Sequence, residues 1–201
     1  MILYSDRDNH YSHRVRIVLA EKDIACEIRE FDIEEAPDDI LSLSPYHKLP
    51  ILVDRDLALY YTAVMTEYLD ERFPHPPLLP VYPVSRAQFR LILQRIEKDW
   101  AENLDVLENT NSSKPQITKA RNDLQKNISN SLAMFDNKKF FRNDEFSVLD
   151  AVIIPILLRL DHHQIKIPNN KASKPLFDYI ERMQDLPSVK ESFTSLEIEL
   201  L

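Results

Sequence analysis

Asp70-Glu-Arg-Phe-Pro-His-Pro-Pro-Leu-Leu-Pro-Val-Tyr-Pro-Val84 cuts the chain into two parts of different character. The stretch carries five of the 13 prolines within ten residues, and His75 lies between Pro74 and Pro76. Proline fixes φ and removes a backbone donor, so residues 74–83 are expected to be neither helix interior nor central strand. The expectation is a stiff, extended, polyproline-like path on the surface. Such a path is a rigid linker. A stiff exposed segment also binds a partner with little ordering entropy left to lose.

Before this stretch the apolar pattern alternates between strand and helix periods. Ile2-Leu3-Tyr4 reads as a short buried strand. Val15, Val18 and Leu19 recur at helical spacing and predict a helix over 12–22, with Ser12 as its N-cap. Cys26 and Ile28 alternate with Glu27 and Arg29, which predicts a second strand with Cys26 in the core. A short helix is expected over 37–43. Ile51-Leu52-Val53 and Leu57-Ala58-Leu59 flank Asp54-Arg55-Asp56 as a hairpin. A helix over 62–73 is expected to turn Val64, Met65, Tyr68 and Leu69 inward. The order is β-α-β-α-β-β-α.

Beyond the prolines the pattern is helical throughout. Phe89, Ile92, Ile96, Trp100, Leu104 and Leu107 form a stripe that predicts one long helix over 86–108. A second helix is expected over 117–135. Ser147-Val-Leu-Asp150 has the spacing of a capping box and opens a very apolar helix over 148–160, which Pro155 is expected to kink. Pro175 fits the first turn of a helix reaching about 185, and Pro187 begins a last short piece. The expected division is an α/β domain over 1–76, a proline-rich linker over 77–85 and an all-helical domain over 86–201.

Composition narrows the function classes. Of 201 residues 44% are hydrophobic, enough for a sizeable core. The apolar runs fall short of the ~20 residues that cross a bilayer, and the N-terminal Met-Ile-Leu-Tyr-Ser has no basic targeting region. Cys26 is the lone cysteine, so no intramolecular disulfide forms. These features predict a cytoplasmic protein with no membrane association. The formal net charge of −8 speaks against direct, sequence-specific nucleic-acid binding, which rests on clustered Lys and Arg, and is compatible with a basic protein surface as partner. Glycine is absent, where ordinary usage gives roughly 14 residues. The phosphate loop and the dinucleotide fingerprint both need glycine where backbone approaches phosphate, so both are excluded. Asn and Asp are then expected to fill left-handed backbone positions, Asp23 among them. His162 and His163 are adjacent and diverge by about 100° on a helix, a poor metal pair. No metal and no cofactor is expected.

Three segments resemble the glutathione S-transferase fold: the helix Ser12-His-Arg-Val-Arg-Ile-Val-Leu-Ala-Glu-Lys22, the segment Lys48-Leu-Pro50-Ile-Leu that in this fold carries a cis-proline, and the Ser147/Asp150 capping box. The resemblance implies a thioredoxin-like N-terminal domain and an all-helical C-terminal domain, α/β plus all-α. A narrower likeness is carried by the block from Tyr11 to Lys22, by Tyr68 to Val84, by Arg95-Ile-Glu-Lys-Asp-Trp100 and by Asp144-Glu-Phe-Ser147. These resemble the bacterial stringent starvation protein A family, and the last forty residues match less well. Members keep the transferase fold without its activity, associate with RNA polymerase holoenzyme and alter transcription under stress. The resemblance therefore implies a transcription regulator that contacts the sigma subunit and core polymerase. It also implies a homodimer, or a heterodimer with a paralogue.

The residues at the old catalytic places fit a lost activity. A glutathione transferase lowers a thiol pKa with a hydroxyl or thiol at the N-terminus of the first helix, aided by the helix dipole. The resemblance places Asn9 there, with Ser12 nearby. The fold's acid-serine pair that clamps the γ-glutamyl end is replaced by Tyr61-Thr62. Tyr61 cannot supply the negative charge that meets the ligand's ammonium, a loss of about 1.5–3 kcal/mol. Pro50 would still offer backbone contacts if it keeps the cis form that the resemblance implies. Asn9, Ser12, Leu49, Pro50, Tyr61 and Thr62 thus outline a vestigial glutathione cleft, and no residue is assigned a catalytic role. Pro74, His75, Pro76 and Tyr82 are the expected partner-binding surface. Two other readings are a glutathione-dependent transferase using Asn9 or Ser12, and a non-catalytic subunit that only completes a heterodimer.

Overall fold

In the computed structural model, which describes residues 1–136 and 138–199, Ile2–Asp6 forms β1 and His10–Glu21 forms α1. Glu27–Phe31 forms β2, and a 3-10 turn at Ile33–Glu35 leads into the short α2, Asp38–Leu41. The hairpin Ile51–Asp54 (β3) and Leu57–Leu59 (β4) is followed by α3, Thr62–Arg72. The strands make one sheet in the order β2-β1-β3-β4, with β1 parallel to β2 and antiparallel to β3. The β-α-β-α-β-β-α order and the thioredoxin-like class read from the sequence are those of the structure.

Several local expectations give way. The N-cap of α1 is Asn9, three residues before Ser12, and the helix begins at His10. β2 is an edge strand whose Ile28 is 42% exposed, and Cys26 precedes it, half-buried, where burial pushes its thiol pKa up. In α3 the buried positions are Met65, Thr66, Leu69 and Asp70, while Val64 points to solvent.

Without glycine, five of the described residues take the left-handed region: Asp23, His47, Arg55, Arg142 and Gln164. Asp23 ends α1, as expected for a short polar side chain, with Ile24 N–H donating back to Leu19 O. The other four are not Asn or Asp. Arg55, exposed at φ 57°, is the first of two residues joining β3 to β4, a position that glycine favours in tight hairpins. Arg55→Gly is expected to raise stability by about 0.5–1 kcal/mol in urea unfolding, because release of the left-handed strain exceeds the added chain entropy. A fall in stability would show that the arginine side chain outweighs its backbone.

The chain separates into two units, Met1–Leu78 with the stretch from Asp185, and Leu79–Gln184. The second unit begins with α4, Pro83–Ile96, with Pro83 in its first turn, three residues before the expected start. A π-helical turn over Glu97–Ala101 joins it to α5, Glu102–Glu108. Ile92, Ile96, Trp100 and Leu104 explain the turn. Each step of four overshoots a full α-helical rotation by about 40°, and a wider turn lets Ile96, Trp100 and Leu104 all stay buried. The displaced Asp99 carbonyl accepts from Asn103 Nδ2 at 2.9 Å and from Asn127 Nδ2 at 2.8 Å.

Helix α6, Lys114–Asn130, starts at a Ser113/Gln116 capping box and is followed by a 3-10 turn at Leu132–Met134. Helix α7, Val148–Leu158, starts at the expected Ser147/Asp150 box and contains Pro155. Asp150 also accepts from Phe141 N–H at 2.7 Å and Tyr179 O–H at 2.9 Å. Tyr179 lies on α8, Lys174–Gln184, and packs with Phe135 and Phe141.

The last helices, α9 (Pro187–Ser192) and α10 (Ser195–Glu199), group with the sheet unit, whereas the sequence reading counted them with the helical domain. The cause is a buried polar network. Arg16 on α1 donates to Ser192 O, Ser5 Oγ and Glu197 Oε2, and His13 Nδ1 lies 3.3 Å from Glu197 Oε1. Thr194 and Glu197 form a reciprocal cap: Thr194 N–H donates to Glu197 Oε2, and Glu197 N–H donates to Thr194 Oγ1.

Candidate functional site

The sheet register gathers the expected cleft residues at one end of the first unit. Tyr4, near the end of β1, pairs with Ile51 at the start of β3. Leu59, ending β4, pairs with Leu52. The loop into α1, the Leu49–Pro50 segment and the start of α3 therefore all leave the sheet at the same end. Leu49 and Pro50 are buried, and the bond between them is cis.

At α1 two of the N–H groups of the first turn are taken by the cap. Asn9 Oδ1 accepts from Tyr11 N–H at 2.8 Å and from Ser12 N–H at 3.3 Å. Free N–H groups of this kind are what a helix N-terminus offers to a thiolate or other anion. Ser12 is fully buried, and its hydroxyl accepts from Asp6 N–H at 2.9 Å. Asp6 in turn accepts from Asp8 N–H and Asn9 N–H, and burial of its carboxyl raises its pKa despite those bonds. The loop is thus closed on itself.

At α3 the first-turn positions are Tyr61, as N-cap without a side-chain cap bond, and Thr62. Tyr61 is 51% exposed and sits in a trio of rings, 5.5 Å from Tyr46 and 5.4 Å from Tyr60 between centroids. A side-chain hydrogen bond with Tyr46 holds the Tyr61 phenol above its ordinary pKa. Neither Tyr61 nor Thr62 carries a carboxylate.

The proline stretch departs from a continuous polyproline path. It bends at His75 and Pro76, where the connecting bond is cis, and again at Leu79 and at Val81–Tyr82. Pro74, His75, Pro76 and Pro77 are exposed, whereas Leu78 and Leu79 are buried. The residues behind this display were not found from the sequence. Lys22 Nζ, at the end of α1, donates to Asp70 Oδ1 at 2.8 Å and to Pro76 O at 2.5 Å. Asp70 Oδ1 also accepts from Leu78 N–H at 2.8 Å. Tyr82 belongs to the second unit and is 77% exposed. His163, of the adjacent pair, lies 3.7 Å from the Glu108 carboxylate through Nε2.

The model of the glutathione S-transferase N-terminal domain matches residues 3–77. The stringent starvation protein A homolog of Coxiella burnetii is 42% identical over 200 residues, covering 100% of this chain and 94% of that protein. The homolog from Haemophilus influenzae is 42% identical over 183 residues, covering 91% of this chain and 85% of that protein. Among solved structures, Gtt2 from Saccharomyces cerevisiae superimposes with a TM-score of 0.83 at 21% identity, over 96% of this chain and 100% of that one. The last of these speaks for the fold alone.

Proposed function

We propose, from the premise that this chain belongs to the stringent starvation protein A family, that it is a non-catalytic regulator of transcription in the stress and starvation response. It associates in the cytoplasm with RNA polymerase holoenzyme, through the sigma subunit and core. The observation that carries the non-catalytic half is the closed α1 N-terminus: Asn9 takes the N–H groups of Tyr11 and Ser12 for itself. Tyr61 in place of a charged clamp residue supports the same reading, since a phenol offers no negative charge to a ligand ammonium. A missing charged hydrogen bond of this kind costs about 1.5–3 kcal/mol of affinity, ten- to hundredfold.

The docking half rests on exposed Pro74, His75 and Pro76, with Tyr82 as a further contact. Prolines keep the backbone of this ridge from being absorbed into a sheet or helix, and His75 offers a polar tip. The protein acts as a dimer with itself or with a paralogue. The exposed, mutually packed rings of Tyr46, Tyr60 and Tyr61 support this, since contiguous exposed apolar groups mark contact surfaces.

A glutathione-dependent transferase is the second reading, favoured by the kept Thr62 and the match to the transferase domain. Titration calorimetry with glutathione, paired with an aryl halide turnover assay, separates the two. No saturable heat at millimolar glutathione and no turnover are expected. Turnover that disappears in Asn9→Ala would establish the enzyme and remove the non-catalytic reading.

A further inference from the structure

We propose, building on the docking role above, that buried Lys22 and Asp70 are the positioning residues of the Pro74–His75–Pro76 ridge. The prolines at 74, 76 and 77 carry no N–H, so between 74 and 78 only His75 and Leu78 have a backbone donor. A segment so poor in donors cannot be held by a ladder of its own. Its shape must be fixed from outside.

The structure supplies that fixing point. Lys22 has a side-chain exposure of 0% and Asp70 of 7%, and they pair at 2.8 Å between the end of α1 and the last turns of α3. The pair leaves no charge unspent. Lys22 spends a second proton on Pro76 O, and Asp70 spends the same Oδ1 on Leu78 N–H. Pro76 and Leu78 flank Pro77, so the backbone is tied on both sides of one residue. The exposed tip then projects from two anchored points on packed helices. Rigidity of this kind raises affinity by lowering the ordering cost of binding. Prolines restrict φ, and the residue before each of them as well, but leave the orientation of the whole segment free.

The test uses Lys22→Met/Asp70→Leu, which removes both charges together and leaves neither orphaned in the interior. Asp70→Asn serves as the graded variant, since its amide oxygen still accepts from Leu78 N–H. The first readout is amide exchange in the protein alone. The Leu78 amide is expected to exchange at least about tenfold faster in the double variant, and less so in Asp70→Asn, while Leu52 and Val53 in the central strand keep their protection. Unchanged Leu78 exchange overturns the assignment whatever polymerase does. The second readout is holoenzyme affinity, with the exposed residues intact. A fall of about tenfold is expected in the double variant. If the wild type binds, a Pro74→Ala/His75→Ala/Pro76→Ala variant does not, and the double variant binds like the wild type, the positioning role is wrong and the docking role stands. If the wild type itself fails to bind, the docking role is wrong, and the exchange data alone decide whether the pair fixes the segment.

Discussion

Asp150→Ala is expected to lower the unfolding free energy by about 4 kcal/mol, among the largest losses that one substitution can produce here. Four groups lean on this carboxylate: Phe141 N–H, Tyr179 O–H, and the N–H and hydroxyl of Ser147. Asp150 is fully buried, so none of the donors gains water when it is removed. The two backbone donors are left unsatisfied, and the tyrosine loses its acceptor in the ring cluster with Phe135 and Phe141. Urea unfolding measures the loss, and a cost under 1 kcal/mol would show that the box is dispensable.

The same group gives the stability a sign with pH. Burial pushes the Asp150 pKa up from 3.8 to about 6, against the opposing pull of its hydrogen bonds. The folded chain therefore holds a proton there that the unfolded chain has released. The group's contribution is fully present below about pH 4 and declines as pH rises through 6, by roughly 3 kcal/mol in all. Asp150→Asn does not titrate, so the stability gap between wild type and this variant is expected to shift against the wild type as pH rises from 4 to 7. A constant gap would mean that the carboxyl titrates normally.

Glu197→Ala is the second large expected effect, at about 3–5 kcal/mol. Its carboxylate joins Arg16, His13 and the Thr194 cap, all nearly sealed from water. Truncation takes the closest carboxylate from the buried Arg16 guanidinium, which keeps Ser5 Oγ and the carbonyls of Asp6 and Ser192 as acceptors. Residues 185–199 are expected to lose protection in hydrogen exchange before the sheet does. Glu197→Gln keeps an acceptor for Thr194 and should lie between. Wild-type protection of 185–199 in the alanine variant would show that apolar packing at α9, not this network, holds the C-terminal stretch.

How far the fold could be read from the sequence depended on the range of the interaction. Ser147 and Asp150 were legible because a capping box is a spacing of three residues. Thr194 and Glu197 have the same kind of spacing and could have been read the same way, but the tie to Arg16 spans 181 residues and leaves no local mark. Asn9 and Ser12 are both good caps by type. Asn9 wins because the Ser12 hydroxyl is drawn to Asp6 N–H, a tertiary contact across the β1–α1 loop. The repeated steps of four from Ile92 to Leu104 did carry the signal of the π turn, as a drift that a regular helix cannot absorb.

At the candidate site the sequence offered Tyr61 as an uncharged residue at the start of α3 and the exposed Pro-His-Pro tip. It could not offer the ring contacts of Tyr61 or the ion pair behind the tip. Tyr46 joins Tyr61 only once the loop before Pro50 folds back. Lys22 and Asp70 are 48 residues apart and each reads as an ordinary helix-surface charge.

Gel filtration of the purified chain with RNA polymerase holoenzyme, with Pro74→Ala/His75→Ala/Pro76→Ala run beside it, tests the central claim most directly. The wild type is expected to co-elute with holoenzyme. The triple variant, melting at the same temperature, is expected to elute alone. Co-elution of both proteins to the same extent would contradict docking through the ridge.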